Sequence, residues 1–461
     1  MRKSIRISAV ALAVSAGWAL PTQASAADAA SVQEELAAMR AQMQAMAQRI
    51  DSLQAELATA QAQAESANQV AQAATETATA AKTAAEKAPP VKVAWKGAPQ
   101  FEGEGGWSFK VRGRLNIDAG FSDYPDSTGR QDGFGSEMRR ARLGVQGEIP
   151  GGFGYKVEAD FAGGDAEMAD AYVSYEDGGL ELVVGHQNNF QSLEELTSSL
   201  NTSFIERAAF TDAFNFERRL GVSAQYKTGD FLVQGGAFSD NMNDLPSRDF
   251  SVDGRVVYMP KLGNTQLHFG GSVHYAKLVE DGSTVRYRQR PFEHFTGERF
   301  INTGSFGADS ERGLGLESAV IAGPFHAAGE AYWQKVSRSG FADPTFFGGY
   351  VEMGYFLTQG DSRGYKNGKF DRVKPTHPVG KGGIGAIQVN ARYDYLDLTD
   401  AGIVGGTQNG YEFSVIWTQT AYTRLMLNYA RLQYDDAVYP TASGDTSYGA
   451  NVVAMRAQID F

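Results

Sequence analysis

Residues 453–461 read VAMRAQIDF. Successive side chains of an extended chain alternate between two faces, so Val453, Met455, Ala457, Ile459 and Phe461 share one face. Ala454, Arg456, Gln458 and Asp460 share the other. The first face suits hydrocarbon and the second suits water. That pairing, closed by a terminal aromatic residue, is the form expected of the last strand of a membrane-spanning β-barrel.

The same period-two alternation fills the chain from Trp107 onward, broken by clusters of Gly, Asp, Asn and Pro. In the first run, Val111, Gly113, Leu115 and Ile117 oppose Arg112, Arg114, Asn116 and Asp118. In the third, Val157, Ala159 and Phe161 oppose Lys156, Glu158 and Asp160. A soluble sandwich would bury the apolar face on a second sheet, but here the polar face is charged in strand after strand. Tyrosine and phenylalanine also gather toward run ends, as in YDYLDL and GYFL, where an interfacial girdle needs them. Runs of suitable length begin near residues 107, 136, 152, 167, 178, 217, 230, 250, 264, 310, 323, 345, 385, 410, 422 and 450. The predicted fold is therefore all-β, a sixteen-stranded antiparallel transmembrane β-barrel over residues 107–461. Its long links fall around 187–216, 278–309 and 359–384, where function is expected to sit.

Composition agrees. The 461 residues include 53 Gly, 20 Tyr, 27 Phe and no Cys, which excludes disulfides and thiolate chemistry. No run after the N-terminus is apolar enough to span a bilayer as a helix. The formal charge of −12 argues against a nucleic-acid partner, but leaves open the sign of a pore lining, which a few charges decide.

Residues 1–26 read as an export signal: Arg2, Lys3 and Arg6, an apolar stretch from Ile7 to Leu20, then Ala24-Ser25-Ala26. Cleavage near Ala26 and delivery to the outer membrane of a Gram-negative bacterium are expected. Residues 27–88 are expected to form an α-helical coiled-coil stalk. Val32, Leu36, Met39, Met43, Met46, Ile50, Leu53, Leu57 and Ala60 recur at alternating spacings of four and three. Such a seam predicts self-association and leaves the number of copies open. An Ala/Gln/Thr/Glu tract follows and stops at Pro89-Pro90, and residues 89–106 are expected to be a linker.

Three arginine-bearing stretches stand out. TVRYRQRPF sets Arg286, Arg288 and Arg290 at spacing two, so an extended chain aims all three one way, an arrangement that an oxyanion would relieve through bidentate hydrogen bonds. The alternative is a basic loop tip paired with Glu293 and Glu298. SEMRRARLGV carries Arg139, Arg140 and Arg142, and strand parity sends Arg140 and Arg142 inward and leaves Arg139 near the rim. Residues 191–210 are less strand-like and could fold into the lumen, bringing Arg207 beside Glu194, Glu195 and Glu206. The link GDSRGYKNGKFDRVKPTHPVGKGG has six cations against Asp361 and Asp371, and reads as an external loop that funnels anions. No catalytic motif, cofactor site or metal-ligand spacing is present among the six histidines.

These residues resemble the phosphate-selective porins of the OprP and OprO type, in order over residues 107–461. The resemblance rests on SFKVRGRL, MRRARLGVQG, SLEELTSSLNTSFIER, the arginine run before RFINTG, GLESAVIAGPFHAAGEAYWQ and GYFLTQGDSRGYKNGKFDRVKP followed by ARYDYLDL. It implies homotrimers in outer-membrane lipid, with an arginine ladder at Arg139, Arg140, Arg286, Arg288, Arg290 and Arg299. It also implies a constriction arginine at Arg207 and an aspartate at or beside Asp170. Two constriction lysines of the family are replaced, by Glu195 and Leu200, and the first replacement reverses charge. The expectation is a porin for small hydrophilic solutes that prefers anions, with phosphate as one cargo. The alternatives are a general porin, or one for another substrate, and a barrel that anchors a coiled-coil tether to the cell wall.

Overall fold

The computed structural model describes residues 26–87, 91–279 and 282–461. The export signal expected at residues 1–26 lies outside them, but for its last residue. The N-terminal helix and the remainder are separate units.

Among the described residues, sixteen long strands close on themselves. They are β1 (Ser108–Asp123), β2 (Gly133–Ile149), β3 (Phe153–Asp160), β4 (Glu167–Asp177), β5 (Leu180–Asn188), β6 (Arg218–Thr228), β7 (Phe231–Phe238) and β8 (Phe250–Tyr258), then β9 (Thr265–Lys277), β10 (Ser310–Ala322), β11 (Phe325–Ser337), β12 (Thr345–Phe356), β13 (Ala386–Asp400), β14 (Ile403–Thr420), β15 (Thr423–Asp435) and β16 (Tyr448–Asp460). Each pairs antiparallel with its neighbour in sequence, and β16 pairs with β1 from Asn451↔Asp123 to Asp460↔Arg114, which leaves no open edge. Within the expected linker, Lys92–Trp95 and Pro99–Glu102 form a hairpin whose second strand pairs onto the start of β1.

The alternation read from residues 453–461 is realised in three dimensions. Val453, Met455 and Ile459 are exposed on the outer wall, while Ala454, Arg456, Gln458 and Asp460 are buried inside. Phe461 exchanges backbone hydrogen bonds with Gly113 at 3.0 Å in each direction. Its ring lies over that glycine so closely that a Cβ there would sit 2.0 Å away. The chain end is thus seated on the first strand by both main chain and side chain.

Two expected strand starts differ by more than two residues, and the smaller departure is at β2, expected near 136 and found at Gly133. The run expected near 410 begins at Ile403, because Gly405, Gly406 and Gly410 interrupt the apolar alternation that the sequence reading relied on. They are small for a reason on the inner face: a Cβ on Gly410 would come within 2.6 Å of the Phe292 ring, which the 278–309 link tucks against the wall.

Antiparallel order fixes the end on which each link emerges. The links 189–217 and 278–309 follow the fifth and ninth strands and share one end of the barrel. The link 357–385 follows the twelfth strand and emerges at the opposite end, together with the chain's short turns and the C-terminus. Its hairpin, Gly364–Lys366 with Lys369–Asp371, turns back into the lumen. Arg363 beside it donates to Ser203 Oγ at 2.8 Å and to the Asn201 carbonyl at 2.6 Å. The expectation of an external funnel loop is corrected accordingly.

The second unit is α1 (Ala26–Lys87), a single helix of 62 residues. Its seam residues Leu36, Met39, Met43, Met46, Ile50, Leu53 and Leu57 are all exposed. No helix among the described residues is long and apolar enough to cross a membrane.

Candidate functional site

The link 189–217 leaves the end of β5 and lies across the lumen, held against the far wall by charged side chains. Glu330 of β11 accepts from the backbone N–H groups of Leu193 (2.9 Å) and Glu194 (2.7 Å). Glu352 of β12 accepts from Ser203 Oγ at 2.8 Å, and Asp394 of β13 accepts from the Ala209 N–H at 3.0 Å. Arg392 reaches Glu194 at 2.8 Å, Arg424 donates to the Thr202 carbonyl at 3.0 Å, and Arg456 donates to the Ile205 carbonyl at 2.8 Å. Aromatic packing fills the space behind the loop: Phe210 stacks between Tyr332 and Tyr350, with centroids 5.9 and 6.4 Å away. One half of the barrel is thereby plugged.

The open half runs along β1 to β8 as a cavity of ≈ 600 Å³. Eleven arginines and lysines line it against nine aspartates and glutamates. Most of the acids are already matched. Asp170 receives Lys156 at 2.6 Å and Arg218 at 2.9 Å, Asp160 receives Arg142 at 2.7 Å, and Glu206 takes both the Nε and Nη2 of Arg139, at 3.0 and 3.2 Å. Among the described residues Arg114 has only the Ser199 hydroxyl as a side-chain partner, at 2.8 Å. The side chains of Arg140 and Lys369 have no hydrogen-bond or ion-pair partner among the described residues. Arg114 and Arg140 are both 7% exposed. Two buried guanidiniums on adjacent strands without carboxylates are costly unless an anion or water meets them.

Arg139 is not at the rim as strand parity implies. The pairing of β1 with β2 slips between Asn116 and Ile117, so that Arg140 faces Asn116 and Met138 faces Ile117. The extra residue is Arg139, and the bulge turns it inward beside Arg140. A second slip, between Glu158 and Ala159, buries Ala169 next to Asp170 on the inner side.

Arg207 lines the cavity, but its guanidinium is committed to its own loop. It donates to the carbonyls of Glu194 (3.0 Å), Glu195 (3.2 Å) and Thr197 (2.9 Å), and lies 3.4 Å from the Glu195 carboxylate. Glu195 therefore faces the cavity, partly offset by Arg207. Leu200 does not line this cavity. It borders a separate small pocket with Arg372 and Arg424, and its carbonyl accepts from Arg424.

The arginine run sits on the 278–309 link at the mouth. Arg286 and Arg288 are exposed, Arg290 reaches the cavity 3.7 Å from Asp212, and Arg299 is buried with its guanidinium on the carbonyls of Gly297 and Glu298. Burial, and then the nearby charge of Arg290, pull the Arg299 guanidinium down to about 10. Glu293 does not pair with the run. It accepts a hydrogen bond from the Tyr124 hydroxyl, and burial pushes it up to about 7. Arg218 is a lining cation that nothing in the sequence pattern marks, whereas inward parity marks Lys156, and Lys369 is one of the six cations of the 359–384 link.

The family described as "Phosphate-selective porin O and P" matches residues 109–461. An uncharacterized protein of Caulobacter vibrioides is 46% identical over 386 residues, covering 81% of this chain and 78% of its own length. Among solved structures, the outer-membrane expressed OmpT of Vibrio cholerae aligns over 77% of this chain and 98% of its own, with 12% identity and a TM-score of 0.51. An anion-selective porin from Comamonas acidovorans aligns over 77% of this chain and 100% of its own, with 14% identity and a TM-score of 0.50. At such identity these two share the fold alone.

Proposed function

The chain belongs to the phosphate-selective porin O and P family, and from that premise we propose that it is a homotrimeric outer-membrane channel for small hydrophilic solutes, preferring anions and passing phosphate-class oxyanions among them. The observation that carries the reading is the unmatched pair Arg114 and Arg140, held in a lumen whose acids are mostly paired already. An anion that sheds part of its hydration shell finds replacement donors there, and the surrounding wall keeps the field strong. Arg286, Arg288, Arg290 and Arg299 lead inward from the mouth, Arg139 and Arg140 continue the line, and Arg207 with Asp170 shapes the narrow stretch. In this reading the end bearing the 189–217 and 278–309 links faces outward from the cell. Glu195 sets a limit, because a carboxylate in the narrow stretch opposes a doubly charged oxyanion more than chloride.

The test is planar-bilayer conductance of the full chain in chloride, with and without added phosphate. Reversal toward the anion potential in a salt gradient, and a phosphate-dependent fall in chloride current, are expected. Cation selectivity would sink the anion reading. Chloride selectivity untouched by phosphate would leave a general anion porin.

The exposed apolar seam of α1 favours a second role. A 62-residue helix with an unburied heptad stripe gains by associating with copies of itself, giving a coiled-coil stalk that joins protomers or reaches toward the cell wall. Deleting residues 31–88 should leave conductance intact and alter oligomer stability or envelope attachment. Unchanged values of both would refute the stalk.

A further inference from the structure

On the outer wall of β9 to β12, at the end bearing the long links, one row of side chains departs from the apolar band. Register places Tyr275, Arg312, Lys335 and Thr345 directly beside one another on four consecutive strands. The next row toward the midplane is Val273, Leu314, Trp333 and Phe347, all outward, with Trp333 and Phe347 in ring contact at 5.3 Å. The change from apolar to cationic takes place within one pair of residues along each strand. Aromatic residues mark the level of the membrane interface, so Arg312 and Lys335 lie at head-group depth.

These cations are little offset. Arg312 is exposed and has no side-chain partner among the described residues. Lys335 lies 3.7 Å from Asp343, with both side chains more than a third exposed, a pair worth little in water. Just above, Arg338 is packed on the rings of Phe306 and Phe341, at 5.1 and 4.7 Å. Phe341 itself is 70% exposed. Elsewhere an unmatched arginine facing outward at this depth would be a liability, because it must find an anion or be drawn up into water.

We propose that this patch is a docking site for the anionic head group of an outer-leaflet glycolipid, its phosphate or uronate carboxylate held by Arg312 and Lys335 and its acyl chains lying on Trp333, Phe347 and Phe341. Charge complementarity selects this occupant: the unmatched cations call for an anion at head-group depth beside an apolar surface, and a zwitterionic lipid would supply a competing ammonium. The inference rests on the orientation given above, not on what the pore conducts, so lipid retention and ion selectivity fail or succeed independently.

The test uses the folded full chain in phosphatidylcholine nanodiscs doped with bis-phosphorylated lipid A, with retained lipid counted by native mass spectrometry. Arg312→Gln with Lys335→Gln should lower retention at least fivefold, since each cation near a charged surface contributes about 1 kcal/mol, while conductance stays at the parental value. Arg312→Lys should keep most of the retention. Heat-modifiability on gels verifies folding of every variant, and Arg431→Gln, on the outer face of β15, serves as the control. Equal retention by parent and double variant would overturn the proposal, as would equal retention of dephosphorylated lipid A. Displacement of the lipid by millimolar inorganic phosphate alone would also overturn it, marking a free-anion site, and so would dissociation of the oligomer by the double substitution, marking a protomer contact.

Discussion

Replacing Glu195 should change selectivity in graded steps. Its carboxylate lines the lumen and is offset by Arg207 at 3.4 Å. Arg207 stays in place when the carboxylate is removed, because three loop carbonyls also hold it. For an ion passing ~6 Å from the carboxylate in a water-filled lumen, Coulomb's law gives ~0.7 kcal/mol, which salt at 0.1 M reduces to ~0.4 kcal/mol. Anions gain that amount and cations lose it, so Glu195→Gln should raise the anion-to-cation permeability ratio by about fourfold. Glu195→Lys shifts two charges and should raise it by about fifteenfold. Reversal potentials across a tenfold potassium chloride gradient in planar bilayers read the ratio directly, and repeating them at 1 M salt should shrink both effects. A ratio within twofold of the parent for Glu195→Lys, in a channel of normal conductance, would refute the placement of Glu195 on the ion path.

Arg140→Gln should lower the same ratio by about fourfold, since it removes one unpaired charge, without lowering the thermal stability of the folded barrel; a drop in stability would mean that Arg140 has a partner. Anion preference should fall as pH rises through about 7, because Glu293 is neutral below that value and adds a negative charge to the cavity above it; Glu293→Gln should abolish the step, and its survival would assign it elsewhere. Arg456→Leu strands Asp118, which it holds at 2.7 and 2.6 Å, and should cost about 3–5 kcal/mol, measured as the shift in urea or heat midpoint of the folded band. Glu330→Ala frees two backbone donors of the inward loop, a loss of about 1–3 kcal/mol per group, and should appear as larger and noisier single-channel conductance.

The barrel was legible because lipid demands an uninterrupted apolar face. Fourteen of the sixteen strand starts fall within two residues of the expected positions, and the exceptions have physical causes. At β14 the glycines that admit Thr303, Ile301 and Phe292 of the 278–309 link erased the alternation. At β2 the reading began three residues late, where Gly133 and Gly135 thin the pattern. Period-two reasoning cannot see a bulge, so Arg139 was sent to the rim although the slip at Asn116 turns it inward. The inward course of residues 189–217 was readable from its lack of strand pattern, but which of its side chains meet the lumen depends on clasps supplied more than a hundred residues later. That is why Glu195 faces the large cavity and Leu200 does not. The side from which 357–385 enters needed only a count of strands, since an even-numbered strand must deliver its link to the end where the chain finishes.

Arg456 belongs to the strand that closes the barrel, and it also grips Ile205 and Glu206 of the inward loop. Arg424, one strand earlier, holds Leu200 and Thr202. Stowing the loop and sealing the wall are therefore coupled events in assembly: until the final two strands dock, Glu352, Arg363 and Arg139 hold Ser203, Asn201 and Glu206, but Leu200, Thr202 and Ile205 lack the clasps of Arg424 and Arg456. A barrel halted before its last seam would carry its inward loop only half fastened, so the lumen takes its final shape when the wall is complete.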